Sequence, residues 1–90
     1  MPSDLFSGKV DVKGQVMRVA RVSEEAGVVT YLLVGNKVHE APVLIAVLPG
    51  SLGLTAGFVE KGDEVEARIG ERVHGSAYIA ESLRIRGVSI

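Results

Sequence analysis

The residues that could do chemistry in this chain are its histidines, serines and clustered carboxylates, and each set lacks the partners its chemistry requires. His39 and His74 stand alone in stretches read as loops, without second or third ligands at metal spacing, so a metal site is not expected. Ser51, Ser76 and Ser82 have no Gly-x-Ser-x-Gly context and no paired base, which leaves nucleophilic catalysis without support. Glu60, Asp63, Glu64 and Glu66 form an acidic patch. Glu64 and Glu66 alternate with Val65 and Ala67, so they read as the wet face of a strand rather than an acid–base pair. The glycines make neither G-x-G-x-x-G nor a P-loop, and no strand-to-helix step presents a phosphate. The expectation is a protein that is not an enzyme and holds no cofactor.

The elements behind these residues read as strands. Val10, Val12, Gly14 and Val16 hold one phase of a strand expected over about Lys9–Val22, and the phase slips at Met17. A glycine and a slip inside one long strand predict a bulge or sharp bend, which lets the strand serve two sheets. Ser23–Gly27 reads as a polar turn. Strands over Val28–Val34 and Val43–Leu48 are apolar on both phases, joined by a loop over residues 35–42 in which Pro42 suits a first-strand position. Residues 49–63 carry too many glycines for a long helix. One or two helical turns are expected there, with Ser51 as cap and Leu52, Leu54 and Phe58 plugging the end of the fold. Val65, Ala67 and Ile69 alternate with charged residues in a fourth strand. The glycine-bounded run 70–75 reads as a hairpin loop, and a fifth strand follows with a bulge near Glu81-Ser82.

Ninety residues make one domain, 1–90, with the folded body over residues 8–87. The sequence is 47% hydrophobic with four aromatics, Phe6, Tyr31, Phe58 and Tyr78, so the core must be mostly aliphatic. A net charge of −1 argues against binding nucleic acid through bulk electrostatics. With no cysteine, disulfides and thiolate metal sites are excluded. No signal-like or membrane-spanning run is visible, so a cytoplasmic protein off the membrane is the default expectation.

Val12-Lys13-Gly14-Gln15-Val16, Gly62-Asp63-Glu64-Val65-Glu66-Ala67 and Ala80-Glu81-Ser82-Leu83-Arg84-Ile85 together resemble the oligonucleotide/oligosaccharide-binding (OB) fold, in its anticodon-binding and replication-protein-A-like branch. The resemblance spans most of the chain and implies an all-β, five-stranded closed Greek-key barrel with little or no helix between strands three and four. Leu52-Gly53-Leu54 and Gly62–Ile69 also look somewhat like the molybdate-binding Mop/TOBE barrels, but that family's Ser-Ala-Arg-Asn opening and Lys-Ala-Ser close are missing.

The OB resemblance implies binding of single-stranded DNA or RNA, alone or as a small subunit of a nucleic-acid-metabolism complex. Such binding needs stacking aromatics and a cationic track. Tyr31 and Tyr78 would stack, and Lys13, Arg18, Arg21, Arg68, Arg72, His74, Arg84 and Arg86 would supply the track. With stacking worth roughly 1–3 kcal/mol per base, one or two platforms predict weak, salt-sensitive binding. The competing expectation is a protein–protein interaction barrel, docking a partner or further copies of itself through an apolar outer row that includes Val38, Leu44 and Leu48. Charge placement discriminates: cations converging on a tyrosine favour nucleic acid, and cations scattered among glutamates favour the interaction module.

Overall fold

The computed structural model describes residues 9–35 and 41–86. The elements are β1 (Val10–Glu24), β2 (Gly27–Gly35), β3 (Val43–Val47), α1 (Ser51–Ala56), β4 (Glu64–His74) and β5 (Ala77–Arg86). The protein is all-β with one short helix among the described residues. Its five strands hydrogen-bond in a ring ordered β1-β2-β3-β5-β4, with β4 returning to β1. All pairings are antiparallel except the short parallel contact of β3 with β5 at Ile45↔Tyr78 and Ala46↔Ile79. Among the described residues no helix is long and apolar enough to cross a membrane.

β1 closes the ring by changing partners. Val10–Gln15 pair with Ile69–Glu64 of β4, and Gln15–Glu24 pair with Gly35–Gly27 of β2. The handover falls at Gly14, where an added Cβ would lie 1.8 Å from the Gly35 carbonyl oxygen. Only glycine lets the two backbones approach so closely. The register then shifts between Val16 and Arg18, so Met17 is the extra residue of the bulge that its apolar side chain signalled.

The core fills the ring from Val12, Val16, Leu32, Val34, Ile45, Val47, Val65, Ala67, Ile69 and Ala80. At one end it is stoppered by Ala56 of α1 and by Val59 just beyond, both fully buried. Here the expectation fails in part. Leu52 does pack on the core, but Leu54 and Phe58 are 74% and 78% exposed. The end of the ring is filled by the smaller Ala56 and Val59, with Leu52 packed against them, and the other two bulky side chains stay in water. Ser51 is not the cap either. Gly50, at φ 134°, precedes the helix with no side-chain cap bond, and its carbonyl accepts the Leu54 amide at 3.1 Å.

The second correction concerns residues 70–75. β4 runs on through them to His74, and the reversal is the two-residue turn Gly75-Ser76 between the paired His74 and Ala77. Gly75 takes φ 65° at the first central position, where tight hairpin turns with a single left-handed residue favour glycine. Two register shifts in β4·β5 make this continuation possible. One leaves Glu81 unpaired between Ala80 and Ser82, the bulge expected in β5.

Candidate binding faces

Alternation along each strand sorts the candidate residues onto distinct faces. On the outer face of β1, β4 and β5, the paired positions read Asp11–Arg68–Ser82, Lys13–Glu66–Arg84 and Gln15–Glu64–Arg86. Opposite charges alternate across and along the strands. Arg68 Nε donates to Asp11 Oδ1 at 3.0 Å, Lys13 lies 3.8 Å and Arg86 3.4 Å from the Glu66 carboxylate, and Lys9 pairs with Glu81 at 2.7 Å. The hydrogen bond from Arg68 is the main cause holding the Asp11 carboxyl below its ordinary range, and the same bond raises the Arg68 guanidinium. A hollow of about 290 Å³ on this face is lined by Asp11, Glu66, Arg68, Ser82, Leu83 and Arg84. Its charge is mixed, so a polyanion meets a carboxylate beside nearly every cation. Water screens such exposed pairs, so they contribute little to stability.

Arg21 serves the fold. It pairs with Thr30 on the core-side phase, and its guanidinium donates to the carbonyls of Ala56 (3.0 Å), Gly57 (3.3 Å) and Val59 (3.0 Å). α1 has no basic residue in its own last turn, so the Arg21 guanidinium from β1 opposes its dipole and adds a second donor to the Ala56 carbonyl, which already accepts the Val59 amide at 3.1 Å.

The outer face of β2 and β3 holds Tyr31, flanked by Ala20 on β1 and Ala46 on β3. Val29, Ala46 and Ala77 are buried there in a second apolar cluster, with Tyr31, Leu44 and Leu48 half-buried against it. The expected interface residues Leu44 and Leu48 are thus already packed by the chain itself, and Val38 lies outside the described residues. The cover comes partly from the two hairpin tips. Glu24, at the end of β1, accepts the Tyr31 hydroxyl at 3.1 Å and meets His74 Nε2, at the end of β4, at 2.9 Å. The Tyr31 and His74 rings stand 6.3 Å apart. Burial, then the bond to Glu24, raises the Tyr31 phenol above its ordinary value. Sequence reasoning missed this Glu24–Tyr31–His74 clasp, because a loop over 70–75 left His74 without a strand phase.

The candidate cations and tyrosines therefore do not share one face. Arg18, opposite Leu33, shares the Tyr31 face, and Arg72 is exposed in the shifted stretch of β4. Lys13, Arg68, Arg84 and Arg86 lie on the charge-alternating face, and Arg21 lies under α1. Tyr78 takes the phase of the buried Ala80, opposite to Ala77 and Tyr31, and pairs with exposed Val73.

A third region lies beside α1. Arg21, Val28, Thr30, Pro49, Gly50, Gly53, Leu54 and Gly57 line a mostly apolar hollow of about 260 Å³. Val28 and Leu54 are exposed at its edge, and Phe58 follows Gly57 in the chain. No cluster of metal-binding side chains occurs among the described residues. Comparison of the sequence with known protein families and with curated proteins finds no match.

Proposed function

We propose that the ring is a closed Greek-key barrel of the OB type and that it works as a protein-docking module without catalytic chemistry. The parallel β3–β5 contact and the division of β1 between β2 and β4 support the barrel reading, as does the resemblance to the replication-protein-A-like branch. The observation that carries the docking role is charge placement. The cations that would track a phosphate backbone are interleaved with carboxylates or spent on α1, while Glu24 sits on the one face that presents Tyr31. Phosphate binding rests on unneutralised Lys and Arg, and this surface supplies few. Val28 and Leu54, two of the large apolar side chains left in water, edge the mostly apolar hollow beside α1.

One observation favours a second reading, weak binding of single-stranded nucleic acid. Two hairpins flank a tyrosine-bearing strand face, and Arg18 stands on that face. Fluorescence anisotropy of labelled oligo-dT and oligo-U at low and moderate salt separates the readings. The docking module leaves the anisotropy flat. A saturable rise at low salt that fades at moderate salt would replace it with the nucleic-acid reading.

A further inference from the structure

On the side away from β4, β5 is paired over only part of its length. Its parallel contact with β3 covers Tyr78 and Ile79; β3 then ends at Val47, and the chain turns through Pro49-Gly50 into α1. Among the described residues no strand continues β3 beside Ser82–Arg86, and the main chain of that stretch forms ladder bonds only with β4. A strand directs alternate amides and carbonyls to each side, so this edge offers a row of main-chain donors and acceptors. The group that matches such a row is another extended polypeptide. The side chains along the edge state what that polypeptide must carry. Leu83 and Ile85 lie half-buried against the core, while Ser82, Arg84 and Arg86 are exposed on the outer face. β4 shows the complement on the opposite edge, where Ala67, Glu66, Val65 and Glu64 pair with Leu83, Arg84, Ile85 and Arg86. Glutamates meet arginines on one side of the sheet, and apolar residues meet apolar residues on the other. The free edge offers the same two rows. Arg84 enters no ion pair among the described residues, and Arg86 reaches the Glu66 carboxylate at 3.4 Å. Charge also excludes a second copy of this chain as the occupant. Two β5 edges paired antiparallel about Arg84 or Ile85 set arginine against arginine, and like charges directly opposite are destabilising.

We infer that the partner is an extended acidic peptide segment, alternating Glu or Asp with apolar residues, that adds as a strand to the free edge of β5 at Ser82–Arg86. This rests on the docking reading above and names the chemistry of its partner. Main-chain hydrogen bonds hold the segment, its carboxylates meet Arg84 and Arg86, and its apolar row extends the one formed by Leu83 and Ile85.

Fluorescence anisotropy of a labelled, end-capped Gly-Glu-Val-Glu-Val-Glu-Gly peptide, titrated with the full chain, tests it. Saturable binding is expected, about tenfold tighter than for the same peptide with lysine in place of glutamate. Methylating the peptide amides that face β5 should abolish binding, and methylating the other alternate set should spare it, which charge attraction alone would not do. Arg84→Gln combined with Arg86→Gln should weaken the acidic peptide about fivefold without loss of fold, because both side chains are exposed. Amide exchange in residues 82–86 should slow on saturation. No binding up to millimolar concentration, equal affinity for the acidic and basic peptides, or binding that survives both methylated sets overturns the strand addition. Oligonucleotide binding, read separately by anisotropy, overturns the docking reading itself, so the two failures are distinguishable.

Discussion

Replacing Gly14 by alanine attacks the ring where β1 leaves β4 for β2. The new Cβ would sit 1.8 Å from the Gly35 carbonyl oxygen and 3.0 Å from Val34 Cγ1. Real Cβ contacts essentially never fall below 3.0 Å, so β1 and β2 must separate by at least 3.0 − 1.8 = 1.2 Å at this point. No rotamer relieves the clash, because the obstacle is backbone. Overpacking by one methyl costs about 1–3 kcal/mol, and each ladder hydrogen bond lost at the adjacent Gln15–Gly35 pair adds about 1 kcal/mol. With two such bonds lost the total is about 3–5 kcal/mol, a large part of the 5–15 kcal/mol that holds an ordinary domain together. At about 4–8 °C per kcal/mol, the melting temperature should fall by at least about 12 °C. Thermal unfolding followed by circular dichroism measures this, with Gly70→Ala as companion. Gly70 lies in β4, and its nearest neighbour is the movable Glu81 carboxylate at 2.9 Å, so that change should cost under about 1 kcal/mol. A Gly14→Ala protein melting within about 4 °C of the parent would refute the close crossing and, with it, the closure of the ring.

Further outcomes follow from the sites. Arg21→Ala should cost about 1–3 kcal/mol by removing the charged donor shared by the Ala56, Gly57 and Val59 carbonyls; denaturant unfolding measures the loss, and amide exchange should quicken in residues 52–59. Glu24→Ala should free both hairpin tips, raising amide exchange at residues 24–27 and 74–77 while lowering global stability by less than about 1 kcal/mol. Equal exchange in parent and variant would show that the clasp does not hold the tips together. For Asp11 the folded pKa is lowered, first by the hydrogen bond from Arg68. Its stabilising contribution is therefore present above the ordinary carboxylate value of about 3.9 and disappears as pH falls through the lowered folded value. Melting temperatures of the parent and Asp11→Asn should differ near pH 6 and converge toward pH 2. A gap that widens as pH falls would reverse the sign of the argument.

Much of the strand architecture was legible because two-period alternation and its interruptions have local causes. Adjacent apolar Val16 and Met17 marked the β1 bulge, and the change of phase between Ala80 and Leu83 marked the one at Glu81. Gly70 misled because glycine suits a hairpin end and a packed strand interior alike. In the folded chain it is buried in β4 beneath Glu81, and only Gly75 takes the left-handed conformation of a turn. Which apolar side chains plug the ring was not legible either. Hydrophobicity ranks Leu54 and Phe58 above Ala56, but which of them faces the core depends on how the short helix is turned against the ring, which no local pattern encodes. The binding faces were legible only as phases. Placing Lys13 and Arg84 on wet faces follows from alternation, whereas their meeting on either side of Glu66 depends on cross-strand register that no single segment encodes.

Which surface of the ring meets a partner is read residue by residue from amide spectra of isotopically labelled protein. On adding oligo-dT at low salt, resonances of Arg18, Tyr31 and Leu33 should stay in place. Oligonucleotide-induced shifts along the Tyr31 strand that fade as salt is raised would contradict the docking reading.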